Sequence, residues 1–219
     1  LNEQNDAEYL FYKDYPRLRL DVTMPEIHRD DIVMIGSYYA VTPQLRDKVK
    51  ELLDKAREKG AIIYYDVNFR STHKNEAIKL LPVILENFEY ADIIRGSVED
   101  FENMFGLTDA DKVYKSKIEF YCPHFICTHG GKGIRLYTKN IKKHYEADPL
   151  QTVSTVGAGD NFNAGVVFGL LKYRIRRDDL DELSEDDWDH VIRCGKDFSA
   201  DVCMSLNNSI SKEFAAGYK

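Results

Sequence analysis

The sequence predicts an α/β fold, a mainly parallel sheet flanked by helices on both faces, with a small β segment at the N-terminus. Three observations carry that reading. Short unbroken apolar runs such as DIVMIG (31–36), AIIYYDV (61–67) and ADIIRG (91–96) have strand length, and unbroken hydrophobicity suits strands buried on both faces. Amphipathic helical segments alternate with these runs, as parallel strands require of their crossovers. Glycine-rich or polar stretches follow the strands, at the edge where open α/β sheets bind ligands. A chain of 219 residues accommodates one such domain with a small appendage.

Taken in order, EYLFYK (8–13) and RLRLDV (17–22) read as two short strands around the turn-like DYPR. After the strand 31–36 comes TPQLRDKVKELLDKAREKG. Thr42 can cap this helix, Pro43 suits its first position and Gly60 a left-handed stop. Leu45, Val49, Leu52, Leu53 and Ala56 recur on one helical face. The strand at 61–67 is followed by NEAIKLLPVILENF, a helix expected to be interrupted at Pro82. The strand 91–96 leads to a short helix from Val98 to Phe105 closed by Gly106, then to a helix from about Ala110 to Phe120. FICTHG is a fourth buried strand. GIRLYT and KKHYEA form a pair joined by the turn Lys139-Asn140, and two helices follow, one behind STVGAGD and one from about Glu185 to Ser205.

Composition narrows the functional classes. A chain that is 43% hydrophobic and 31% charged, with no long apolar run, is neither disordered nor membrane-spanning in character. A net charge of -7 argues against a nucleic-acid surface, which needs an excess of Lys and Arg. The small basic run Arg174, Arg176 and Arg177 is followed by Asp178 and Asp179, the pattern of a solvated helix end. Cys122, Cys127, Cys194 and Cys203 form no Cys-x-x-Cys pair, so free thiols in a reducing cytoplasm are expected. The opening LNEQNDAEYL lacks the basic start and apolar core of a signal peptide, and a first residue other than Met predicts a missing beginning.

Three strand ends carry candidate chemistry. In DVNFR, alternation sends Asp66, Asn68 and Arg70 to one side and Val67 and Phe69 to the other. A polar triplet at that edge reads as a ligand contact or, more plainly, as a solvated strand end. In ICTHGGKGIRLY, Gly130, Gly131 and Gly133 permit a tight turn and close backbone approach. A Walker phosphate loop would need Ser or Thr after Lys132 and then a helix, whereas Gly133 and a strand follow; a tight hairpin is the alternative. In STVGAGDNFNAGVVFGLL, a dinucleotide fingerprint would need glycine at 162, where Phe stands. What remains is a helix start whose small residues Gly157, Ala158 and Gly159 can turn amides toward an anion, with Asp160 in the first turn. Asp160 serves either as a cap favoured by the helix dipole or as a base beside an oxyanion site. Gly165 and Gly169 suit close helix packing.

Together these residues resemble the ribokinase-like, or phosphofructokinase-B, family of carbohydrate kinases. STVGAGDNFNAG is similar to the family signature Asp-Thr-x-Gly-Ala-Gly-Asp followed by an aromatic and a small-residue helix. FICTHGGKG is similar to its Thr-x-Gly-x-x-Gly nucleotide segment, and DVNFR to the Asp-x-Asn-x-Arg segment of the fructokinase and 2-keto-3-deoxygluconate kinase branch. The resemblance implies a ribokinase-like fold and ATP-dependent phosphorylation of a primary hydroxyl of a small sugar or sugar acid, with Mg2+. Asp160 would be the base, and the amides of Gly157, Ala158 and Gly159 the anion hole. Thr128, Gly130, Gly133 and Ser97 would line the ATP site, and Asn68 and Arg70 would lie near the acceptor and the transferred phosphate. Arg suits that place because its planar fork pairs with phosphate oxygens.

The chain departs from the family pattern in two places. Ser154 stands where the family has Asp, which puts a monovalent-cation ligand in doubt, and Ser97-x-x-Asp100 stands where it has Asn-x-x-Glu, leaving Asp100 as the candidate metal ligand. These departures imply an alternative, a catalytically impaired nucleotide-binding member; a nucleoside kinase fits the DVNFR segment less well. By the same resemblance, residues 1–25 are a partial β lid and 26–219 a nucleotide-binding kinase domain lacking its N-terminal part. Leu10, Phe11, Leu18 and Leu20 on the lid predict a homodimer. A sheet edge left open by the shortened start, and little or no sugar kinase activity without the missing part, are further expectations.

Overall fold

A computed structural model describes residue 20 and residues 22–218. Six strands form one sheet in sequential order: β1 (Ile32–Gly36), β2 (Ile62–Asp66), β3 (Ile93–Ser97), β4 (Phe125–Thr128), β5 (Ile134–Tyr137) and β6 (Lys142–Tyr145). The first four are parallel, and the last two turn antiparallel. This is the predicted α/β architecture. The pair 8–13 and 17–22 expected at the start lies outside the described residues, apart from Leu20 and Val22, which are exposed.

The helices between the strands are α1 (Arg46–Lys59), α2 (Ala77–Tyr90), α3 (Val98–Phe105) and α4 (Ala110–Val113), the last prolonged by a π-turn over Tyr114–Ile118. Sequential parallel strands joined by right-handed crossovers place these helices on one face. They share one core there: Leu53, Ala56, Ile84, Phe88, Phe101, Val113 and Tyr114 cluster with Ile63, Tyr65, Ile94 and Phe125 of the sheet. The alternate strand residues Ile62, Tyr64, Ile93 and Ile126 are buried as well, so the central strands β2, β3 and β4 are buried on both faces, whereas Met34 on β1 is exposed.

Two local expectations are corrected. Thr42 does not cap a helix amide: its hydroxyl bonds to Gln44, a 3-10 turn occupies Pro43–Leu45, and α1 begins only at Arg46. Pro82 does not interrupt α2, which runs unbroken from Ala77 to Tyr90. The cost of the missing Pro82 amide is outweighed by the burial of Leu80, Ile84 and Phe88 on one face. The basic run also does more than solvate a helix end, since Arg176 pairs with Asp30 at 2.6 Å and Arg177 with Asp92 at 2.7 Å.

His124 gives this unit a pH signature. It is 5% exposed, and its Nδ1 lies 2.9 Å from the Asp92 carbonyl. Burial lowers its pKa, against the opposing influence of that carbonyl and of the Asp181 carboxylate. A depressed folded pKa means that the unfolded chain binds the proton first as pH falls. Stability is therefore complete above about pH 6.5, the unfolded value, and declines as pH drops through the folded pKa. Urea midpoints measured from pH 8 to 5 test this, and His124→Gln is expected to flatten the slope over that interval.

The described chain divides into two units: one holds the sheet, through Ala147, together with Arg176–Asp181, and the other holds Asp148–Ile175 and Glu182 to the C-terminus. The second unit comprises α5 (Ala158–Lys172), α6 (Glu185–Cys203) and a short α7 (Lys212–Gly217) that no sequence pattern announced. Helices α5 and α6 approach so closely that a Cβ on Gly165 would overlap the Cys194 carbonyl, while Gly195 on the facing helix leaves room for the Phe162 ring. Gly165→Ala is expected to lower stability by about 3 kcal/mol, because the obstacle is backbone and cannot rotate away; thermal unfolding measures it.

Candidate active site

The turn ahead of α5 is built by local geometry. Gly157 sits at φ 79°, and a Cβ there would stand 2.9 Å from the Asn208 carbonyl, so glycine is required both for conformation and for space. The Asn161 amide donates to the Gly157 carbonyl at 2.8 Å and to the Asn208 carbonyl at 3.0 Å, clamping the turn against the segment after α6. Sequence reading missed both asparagines, because nothing near 157 marks Asn208 as its neighbour. Ser154 is buried and its hydroxyl accepts from the Val156 amide at 3.1 Å, so it folds the approach to the turn.

The Ala158 amide donates to the Thr155 carbonyl at 3.1 Å. The amides of Gly157, Gly159 and Asp160 have no backbone acceptor among the described residues, as the first turn of a helix dictates. Asp160 is exposed, and its carboxylate makes no hydrogen bond or ion pair with any described residue. Positive helix-end potential and an uncommitted carboxylate thus share one turn.

In the sheet unit the carboxyl ends of three neighbouring strands carry a buried polar chain. Arg95 on β3 donates to Asp66 Oδ1 on β2 at 3.0 Å and to Thr128 Oγ1 on β4 at 2.8 Å. Asp66 and Arg95 face each other in the parallel register, with side chains 5% and 8% exposed. The structure therefore brings together Asp66 and Thr128, two of the sequence's candidate strand ends, through a residue the sequence reading passed over. An arginine directly behind the apolar pair Ile93-Ile94 was the available signal. β2 ends at Asp66: Val67 and Phe69 turn into the core, and Asn68 and Arg70 are half-buried, Asn68 at φ 39°. A non-glycine residue in the left-handed region costs energy, and such strain collects at functional positions.

Ser97 and Asp100 meet each other. The Ser97 amide and hydroxyl donate to Asp100 Oδ2 at 2.6 and 2.7 Å, and the Asp100 amide donates back to Ser97 Oγ at 3.2 Å, a capping box for α3. Asp100 is 4% exposed, and among the described residues no three His, Cys, Asp or Glu side chains converge to hold a metal ion. This geometry does not fit Asp100 as a built metal site.

The loop joining β4 to β5 is a tight hairpin containing a 3-10 turn, Gly130–Lys132. Gly133, at φ 90°, is required by the fold, since a Cβ would strike the Tyr145 carbonyl; Gly130 and Gly131 expose bare backbone to open space. Beside the loop lies a cavity of about 310 Å³ whose lining includes Cys127, His129, Lys132 and Arg135. Lys132 and Arg135 form no ion pair among the described residues, and the same cavity is lined by the carboxylates of Asp109 and Asp111.

A mainly parallel six-stranded sheet with helices between its strands defines the class, an α/β fold. The chain belongs to the pfkB family of carbohydrate kinases, whose model matches residues 8–211. Arabidopsis thaliana probable fructokinase-4 is 28% identical over 201 residues, covering 84% of this chain and 58% of that protein. The 5-dehydro-2-deoxygluconokinase of Geobacillus thermodenitrificans is 26% identical over 186 residues, covering 78% of this chain and 53% of its own length. Among solved structures, Vibrio cholerae fructokinase in its fructose-, ADP- and calcium-bound form superposes with a TM-score of 0.75 at 17% identity, over 90% of this chain and 63% of that one. Salmonella enterica aminoimidazole riboside kinase, complexed with aminoimidazole riboside and an ATP analog, gives 0.73 at 20% identity, over 88% and 64%. These structural likenesses show the ribokinase-like fold. The chain spans between half and two thirds of the length of these relatives, and none of its described helices is long and apolar enough to cross a membrane.

Proposed function

We propose that the protein phosphorylates a primary hydroxyl of a small sugar or sugar acid at the expense of ATP. The observation that carries this reading is Asp160: an exposed carboxylate without a partner among the described residues, in the same helix turn as amides that lack acceptors. Family membership supports the substrate class.

In this reading Asp160 accepts the proton of the attacking hydroxyl as its oxygen forms the new bond to phosphorus. ATP supplies the phosphoryl group, and ADP leaves as the phosphoanhydride bond breaks. The turn amides of Gly157 and Gly159 hold the negative charge that develops on the phosphoryl oxygens, with the Asp160 amide in place of the expected Ala158 amide, which the Thr155 carbonyl engages. Arg70 pairs with phosphate oxygens or with the acceptor, Asn68 orients the sugar, and Thr128, Gly130 and Gly133 line the nucleotide site. The lid segment and the homodimer it would form belong to the same proposal.

The test is ADP release and ³¹P detection of a sugar phosphate with fructose, ribose, 2-keto-3-deoxygluconate and nucleosides as acceptors. Turnover on a sugar or sugar acid supports the reading, and preference for a nucleoside overturns its substrate class. Nucleotide binding without turnover on any acceptor favours a nucleotide-binding member, the reading that the commitment of Asp100 to a helix cap supports.

A further inference from the structure

Thr128 and Ser97 are cross-strand neighbours at the ends of β4 and β3, yet their hydroxyls are in opposite states. Ser97 gives its proton to Asp100 and receives the Asp100 amide, so it is committed in both directions. Thr128 Oγ1 receives a proton from Arg95 at 2.8 Å and makes no other hydrogen bond among the described residues. A guanidinium has no acceptor atom, so the hydroxyl must be the acceptor in that bond. Its own proton is then free to point away from the sheet. The other arm of Arg95 is fastened to Asp66 at 3.0 Å, so the guanidinium is held at two points, from β2 and from β4, in a place where it is 7% exposed.

We infer that Arg95 is a positioning residue that holds the Thr128 hydroxyl as a hydrogen-bond donor aimed at an anionic oxygen of the nucleotide, an inference that rests on the kinase reading of Thr128. Because Asp66 balances its charge within the same buried group, Arg95 acts through orientation rather than through a long-range field. The planar fork is what spans two strands at once. A lysine keeps the charge but offers a single point, and so cannot hold Asp66 and Thr128 together in this geometry.

ADP binding is measured by calorimetry for the wild type, Arg95→Lys, Thr128→Val and the double variant, with thermal unfolding of each as a control for folding. Loss of one hydrogen bond to a charged group is expected to weaken ADP binding about tenfold in either single variant. The double variant is expected to match Thr128→Val alone, since Arg95 acts through that hydroxyl, and Thr128→Ser is expected to retain affinity. A wild type that binds no ADP overturns the kinase reading and this inference with it. A wild type that binds ADP, with Arg95→Lys without effect or with losses that multiply in the double variant, overturns the inference alone. If Arg95→Lys does not fold, the Thr128 variants still decide: unchanged affinity in Thr128→Val, or lost affinity in Thr128→Ser, overturns it.

Discussion

Asp160→Asn is expected to reduce kcat about a thousandfold, within the range that a positioned base contributes, while leaving ADP affinity and the melting temperature almost unchanged. The structural reason is the isolation of the side chain. Asp160 is exposed and has no hydrogen-bond or ion-pair partner among the described residues, so an amide of the same shape breaks no polar contact with any of them. Its favourable interaction with the helix end is worth only about 0.3–1 kcal/mol, which limits the stability change. The two readings of Asp160 separate on this point. If it is only a cap, the substitution costs a little stability and no activity; if it is the base, activity falls and the fold persists. Steady-state kinetics beside thermal unfolding distinguishes them, and turnover that survives the substitution would falsify the catalytic role.

Asp66→Ala is expected to have the largest effect on folding, a loss of about 3–5 kcal/mol, because it leaves the Arg95 guanidinium buried without its counter-charge. The pair lies in the middle of the parallel sheet, its side chains 5% and 8% exposed, where water cannot take the place of the carboxylate. Replacing both members, as Asp66→Leu with Arg95→Met, is expected to restore most of that loss, since neither member of the pair is then left buried alone. Urea unfolding of the three variants measures it. A double variant as unstable as Asp66→Ala would show that the polar chain is itself a structural requirement of the strand ends. This stability experiment is independent of any nucleotide, so it separates the structural share of Arg95 from its proposed role toward Thr128.

Much of this was legible in the chain, for reasons that differ from element to element. The strand at 61–67 announces itself because burial on both faces leaves no position for a polar residue until Asp66 at its end. The short helix Val98–Phe105 has both its boundaries in the sequence, Ser97 as cap and Gly106 as stop. The same Ser97-x-x-Asp100 spacing was also read as a metal-handling segment, and the two readings share a pattern that only hydrogen-bond geometry separates. The helix with Pro82 shows the reverse failure, where a strong local signal yields to tertiary burial of Leu80, Ile84 and Phe88.

The sequence by itself determined the order of strands and helices, the family, the glycine turn at 157–159 and the place of Asp160 in the first turn of a helix. Each of these depends on residues within a few positions of one another, where covalent geometry and periodicity dominate. Only the tertiary structure decided that Arg95 joins Asp66 to Thr128, that Asn161 ties Gly157 to Asn208, and that Gly165 lies under the Cys194 carbonyl. Those partners are tens of residues apart in the chain, and what brings them together is strand register and helix packing, which no single segment encodes.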